Sequence, residues 1–170
     1  MKQLIYFVLT VVLTYELACL AQTVLHRFLG HYPIIRALFV AHTKSHHALY
    51  TGGAFEQPVY SAEERNLSYA FVPVALLIGA TAYWLLPVEL FAVSFVTLVG
   101  TFTAHIYLHA HYHLTDSWLV RFFWFRKLKE LHRIHHINQR MNYGVMTLVW
   151  DRVMGTFAPA EPWSLRGDRV

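Results

Sequence analysis

VELFAVSFVTLVGTFTAHIYLHAHYH, residues 88–113, begins as an apolar run and ends in four histidines, His105, His109, His111 and His113. The Val88 to Leu108 portion is long enough to cross the roughly 30 Å hydrocarbon core of a bilayer as a helix. Helical spacing puts His105 and His109 on one face at its far end. A membrane-length helix that delivers imidazoles at one boundary decides the fold class: an all-α integral membrane protein.

Two more apolar runs of similar length lie outward from this stretch. Leu67 to Leu86 is separated from it by Pro87, so the two form a tight hairpin. Pro73 and Gly79 inside that run are tolerated in membrane helices better than in soluble ones. Leu4 to Leu25 is interrupted only by Thr10, Thr14, Glu16, Gln22 and Thr23. It exceeds the roughly 7–15 apolar residues of a secretory signal core and leads directly into His26. Glu16, well inside this run, is read as a neutral group facing the other helices. The expected architecture is about three transmembrane helices with cytoplasmic-side and interfacial helices, forming one domain over residues 1–170.

Composition agrees. Hydrophobic residues make up 56% and charged residues 14% of the 170-residue chain, with a mean hydropathy of +0.36, too apolar for an ordinary soluble globule. Cys19 stands alone, which excludes an internal disulfide and a cysteine-rich metal site. The formal net charge of +4 comes from 14 Lys and Arg residues. With three spans all of them except Lys2 fall on one side, which the positive-inside rule makes cytoplasmic, with the N-terminus opposite. This distribution favours a membrane surface over nucleic acid. Pro33 to Ala41 is too short to cross, and the loop from Tyr50 to Asn66 carries Gly52-Gly53, Pro58 and Glu63-Glu64. Asp116-Ser117 is an expected N-cap for an interfacial helix running through Trp118, Phe122 and Leu128.

The 12 histidines fall into four clusters at the cytoplasmic ends of the spans: His26 and His31; His42, His46 and His47; His105, His109, His111 and His113; and His132, His135 and His136. Residues three or four apart share a helix face, so His42/His46, His105/His109 and His132/His135/His136 can each converge. His26 and His31, five apart, need a helix end or local unwinding to do so. So many imidazoles packed together need something to stabilise their neutral form, and a metal does that. A structural zinc takes about four protein ligands and a catalytic zinc about three, so ten or more histidines suit two metals with five ligands each. Imidazole accommodates Fe, Zn, Cu and Ni alike. No HExxH is present, so the usual zinc-peptidase helix is absent.

H-R-F-L-G-H (26–31), H-T-K-S-H-H (42–47), H-I-Y-L-H (105–109) and H-R-I-H-H (132–136) resemble the four histidine boxes of the fatty acid hydroxylase/sterol desaturase superfamily. Asn142-Tyr143-Gly144 followed by Trp150-Asp151-Arg152 and Gly155-Thr156-Phe157 resembles the stretch after that family's last box. The likeness covers about residues 20 to 160. It implies two iron ions (replaceable by zinc in a purified sample), O2 as co-substrate and an external electron donor protein on the cytoplasmic side. The activity it implies is hydroxylation or desaturation of a lipid-like substrate taken from the bilayer, whether fatty acyl, sterol or other isoprenoid. The first box looks hydroxylase-like and the tail desaturase-like, which leaves the substrate open.

Carried over box by box, the resemblance gives ten ligands: His26, His31, His42, His46, His47, His105, His109, His132, His135 and His136. His109/His113 fits the third spacing as well as His105/His109 does. His111 and His113 remain as residues beside the ligands, and Asp116 and Asp151 as carboxylates able to orient them. Basic residues from Arg121 to Arg140 suit anionic lipid or an acidic redox partner. A membrane zinc- or copper-binding protein or transporter without redox catalysis is the alternative reading, with a haem protein or a zinc hydrolase behind it.

Overall fold

The computed structural model describes residues 1–61 and 69–160. Helix α1, Lys2–Leu25, continues through a π-helical turn, His26–Gly30. Helix α2, Arg36–Phe39, continues through a longer π-helical segment, Val40–His46, into the short α3, His47–Leu49. Helices α4, Phe71–Leu85, and α5, Val88–Tyr112, form the hairpin about Pro87. A 3₁₀ turn, Trp118–Arg121, precedes α6, Phe123–Ile137, and α7, Val149–Val153, follows the last loop.

Helix α1 packs along α5, and both pack along α4. Hydroxyls inside the apolar helices find partners without leaving them. Thr10 and Thr23 donate to the carbonyls of Tyr6 and Cys19, each at 2.8 Å, while Thr14 meets Ser94 of α5 at 3.0 Å. The outer faces carry exposed Leu4, Val8, Leu13, Leu76, Trp84 and Val96, as helices facing hydrocarbon do. Beneath the histidines, Phe55, Leu108, Tyr112, Leu119, Phe125 and Val145 form the buried core. The Gln57 segment pairs with the end of α5, its N–H donating to the His113 carbonyl at 2.8 Å.

Two of the three expected spans, Lys2–Gly30 and Val88–Tyr112, are long and apolar enough to cross a membrane. The third is represented by Phe71–Leu85, apolar but shorter; Leu67 and Ser68, the start of the expected run, and Glu63-Glu64 lie outside the described residues. The expected interfacial helix is broken in two. Phe122 is extended (φ −92°, ψ 128°) between the 3₁₀ turn and α6, and Ser117 is turned to the His111 ring, Oγ to Nδ1 2.9 Å, without capping the helix. Trp118, Phe123 and Trp124 still project outward.

Candidate metal centre

Ten imidazoles collect into two groups of five: His26, His31, His42, His47 and His135; and His46, His109, His113, His132 and His136. Within each group one ring nitrogen of every member lies within 4.8 Å of all the others. Nε2 atoms face one another at 2.7 Å (His26 and His42), 3.1 Å (His31 and His135) and 3.1 Å (His47 and His42) in the first group. In the second they do so at 3.2 Å for both His113 and His136 against His132. Two nitrogens bound to one metal at about 2.1 Å and at right angles would lie about 3 Å apart.

Helix geometry explains how the chain assembles them. Five residues advance about 140° past a full turn on an α-helix, which would point His26 and His31 apart. The π-helical turn between them widens the coil and brings their Nε2 atoms to 3.3 Å. The Val40–His46 segment does the same for His42 and His47, whose N–H donates to the His42 carbonyl. Such widened turns are rare and concentrate at functional sites. The second group uses ordinary α turns, His109 with His113 and His132 with His136.

In four of the ten rings the opposite nitrogen donates to an acceptor. His26 Nδ1 donates to the Tyr143 carbonyl at 2.6 Å, His135 Nδ1 to the Met141 carbonyl at 2.7 Å and His113 Nδ1 to the Phe55 carbonyl at 3.0 Å. His31 Nδ1 donates to Thr43 Oγ1 at 3.2 Å, whose own proton goes to the Gly30 carbonyl at 2.7 Å. A carbonyl only accepts, so each of these four rings, when neutral, keeps its proton on Nδ1 and presents an Nε2 lone pair inward. Lone pairs facing lone pairs at 3 Å call for a cation between them. This donor set therefore fits metal ions.

Burial pushes His47, His132 and His135 well below the ordinary histidine pKa, and neighbouring imidazoles, led by His136, His109 and His26 respectively, push them further the same way. At neutral pH these rings are unprotonated, the form that ligates.

The loop after α6 forms the wall behind the first group. Asp151, fully buried, accepts from the Tyr143 and Gly144 N–H groups and from the Thr156 hydroxyl, each at 2.8 Å. Burial raises its pKa against the pull of those hydrogen bonds. A Cβ on Gly144 would collide with the Thr147 carbonyl and crowd Asp151, so only glycine fits there. Asn142, at φ 55°, bonds through its side chain to Leu131 and Ala158. Gln22 of α1 grips the same loop, donating to the Tyr143 carbonyl at 3.0 Å and accepting from Val145 N–H at 3.1 Å.

Residues 6–156 match the fatty acid hydroxylase family. The chain belongs to that family. No curated protein and no solved structure matches it.

The hydroxylase-family boxes divide in a way that spacing did not reveal. His113 joins the second group and His105 joins neither, because α5 stays regular through Tyr112 and carries the later pair to the centre. His105 lies one turn back, its ring tilted against Phe71 with ring centroids 5.4 Å apart. His42 is matched with His47 and not with His46, since the π segment shifts the shared face by one residue. His111 touches Ser117 and the Tyr107 ring, away from both groups. Asp116 is exposed and meets no imidazole among the described residues, while Asp151 reaches His26 only through the Tyr143 backbone. Lys129, one of the basic residues expected on the surface, is buried and paired with Glu56 at 3.0 Å. The Asn142-Tyr143-Gly144 stretch marks this loop in the sequence; for Gln22 the one signal is an amide inside an apolar run.

An apolar cavity lies between α1, α4 and α5, lined by residues including Phe71, Leu98, Phe102, Gln22 and His105. Beside it, sharing Ala75, Leu98 and Phe102, runs a groove of about 450 Å³ between α4 and α5, lined also by Tyr83 and Trp84.

Proposed function

We propose that this chain is a membrane di-iron oxygenase that hydroxylates or desaturates a lipid-like substrate. The observation that carries the reading is the pair of five-imidazole groups with lone pairs turned inward. His26, His31, His42, His47 and His135 would hold one iron, and His46, His109, His113, His132 and His136 the other. Iron bound there, supplied with electrons and O2, provides the oxidising power to take hydrogen from an unactivated carbon. The protein's residues do the rest. Backbone carbonyls and Thr43 fix the rings, Asp151 and Gln22 fix the loop behind them, and the buried aromatic core keeps water out.

The direction of the helices supports a membrane placement. Helices α1 and α5 both bring histidines to the centre at their C-terminal ends, so they run the same way, and the chain between them must return. The apolar α4 supports that return and hence three crossings, with the N-terminus on the face opposite the histidines. The basic residues beyond the spans favour the cytoplasmic face for the centre. The groove between α4 and α5 is lined as a lipid path would be, and electrons come from a partner protein on the same face.

Metal content tests the reading. Purified in mild detergent from iron-replete cells, the protein should carry close to two irons per chain and consume O2 when reduced with a lipid extract present. Less than half a metal per chain in folded protein overturns it. Two zincs, with no O2 uptake after iron reconstitution, establish the zinc-binding alternative.

A further inference from the structure

Lys129 of α6 is only 8% exposed, and an ammonium is costly to bury unless it is paired and hydrogen-bonded. Its Nζ donates to the Leu114 carbonyl at 3.0 Å and pairs with Glu56 at 3.0 Å. Leu114 follows the end of α5. Glu56 stands in the segment that pairs with that end, where Gln57 N–H donates to the His113 carbonyl at 2.8 Å and Thr115 N–H to the Gln57 carbonyl at 3.1 Å. One ammonium thus ties α6, the end of α5 and the Phe55-Glu56-Gln57 segment together. That segment bears on the second nitrogen group. The Phe55 carbonyl accepts from His113 Nδ1 at 3.0 Å, and the Phe55 ring lies against His113, His136 and His132, with centroids 4.8, 5.3 and 6.1 Å away. Lys129 also precedes His132 by three residues and His136 by seven, the spacing of one helix face. For stability alone an apolar residue serves such a position as well as a buried charge does. What the pair adds is a fixed place for the Phe55 carbonyl.

We propose that Lys129 and Glu56 are positioning residues for the second group: by clamping the segment they hold the Phe55 carbonyl where it orients the His113 ring. They serve this group as Asp151 and Gln22 serve the first. The proposal rests on the metal-centre reading, but its test is independent of turnover.

The experiment uses cobalt-loaded protein in mild detergent, whose ligand-field absorption senses the geometry of the imidazoles, and removes the cobalt with a graded chelator. Lys129→Met keeps the bulk of the side-chain stem and leaves Glu56, 41% exposed, to water, so the variant is expected to fold. One of the two cobalts should be lost at about tenfold lower chelator than in wild type, the low end of the effect of removing a group that orients a ligand. Its absorption bands should shift, and it should be the cobalt missing from His46→Ala. Glu56→Ala should act in the same direction, and Lys129→Arg, whose guanidinium can donate to both partners, should recover tight binding. Equal loosening of both cobalts would make the pair a general structural support and overturn the proposal. So would wild-type retention of both in Lys129→Met and Glu56→Ala. Wild type that holds no cobalt overturns both the proposal and the metal-centre reading. If cobalt behaves as expected but the iron-loaded enzyme consumes no O2 with any lipid, the oxygenase reading fails and the positioning role stands.

Discussion

The two nitrogen groups contain five imidazoles each but take their histidine pairs from differently wound turns. The first takes two pairs spaced five apart, His26/His31 and His42/His47, from π-helical turns, and is completed by His135 from α6. The second takes two pairs spaced four apart, His109/His113 and His132/His136, from α-helices, and is completed by His46 from the π segment. In both His-His boxes the first and last histidines serve one group and the middle one serves the other. Adjacent residues on a helix point about 100° apart, so a His-His doublet straddles two sites. The extra residue in H-T-K-S-H-H, compared with H-R-I-H-H, is absorbed by the wider turn. Two spacings thus give one outcome, and each doublet ties the groups together.

If the groups are separable metal sites, His135→Ala and His46→Ala should each reduce the metal by about one per chain, from the first and second group respectively. Activity should fall more than about 100-fold in each, beyond the 10–100-fold typical when a residue orienting a ligand is lost. The double variant should hold none. If either single variant releases both metals, the two groups are one cooperative unit and the comparison breaks.

Asp151→Asn should come next, at about 10–100-fold in activity. An amide cannot accept at both oxygens, so it frees the Tyr143 or Gly144 N–H and loosens the carbonyl that holds His26. The loop carries Tyr143 and Met141, which orient His26 and His135, so metal loss should be confined to the first group. Equal loss from both groups would show that the loop supports the whole centre.

These differences mark what the sequence discloses. Hydropathy locates α1 and α5 because lipid-facing residues must be apolar, and the boxes disclose the histidine content because ligation requires those side chains. The register of the third box is not disclosed: H-X3-H fits His105/His109 and His109/His113 equally, and only the length of the regular helix to Tyr112 chooses the second. The pairing of His42 with His47 is hidden for a related reason, since periodicity assumes 3.6 residues per turn and the segment is wider. Gln22 acts on the backbone of a loop some 120 residues on, at Tyr143 and Val145, and a local pattern carries no trace of that. Asp116, adjacent to the boxes in sequence, illustrates the converse: closeness along the chain did not bring it to the site.

Gly30→Ala tests the tight packing of the π turns with a smaller perturbation. A Cβ there would come within 2.9 Å of the His42 ring and 3.3 Å of the His26 ring. Relieving that contact should tilt His42 and lower first-group metal affinity about five- to tenfold, the low end of the ~1–3 kcal/mol cost of overpacking. The second group should be untouched, as measured by metal retention against a graded chelator. Wild-type affinity in this variant would mean that the turn relaxes freely and is not what sets the spacing.

The smallest effect is on the pH dependence of the metal-free protein. His47 and His135 in the first group, and His132 in the second, are held well below their unfolded pKa by burial and by neighbouring imidazoles. Above about pH 7.5 both folded and unfolded chains carry these rings neutral, so they contribute no pH dependence. As pH falls through the ordinary histidine pKa the unfolded chain takes up protons that the folded chain refuses, and stability drops. Between pH 6.5 and 6.0 each ring should cost at most about 0.7 kcal/mol, read as a shift in the denaturation midpoint in mild detergent. His135→Ala and His132→Ala should each remove about half to three-quarters of a proton from the slope in this window, because the two groups bury their imidazoles alike. A slope altered by only one of them would mean that water reaches the other group in the metal-free state, and that the π-built and α-built halves differ in how well they close.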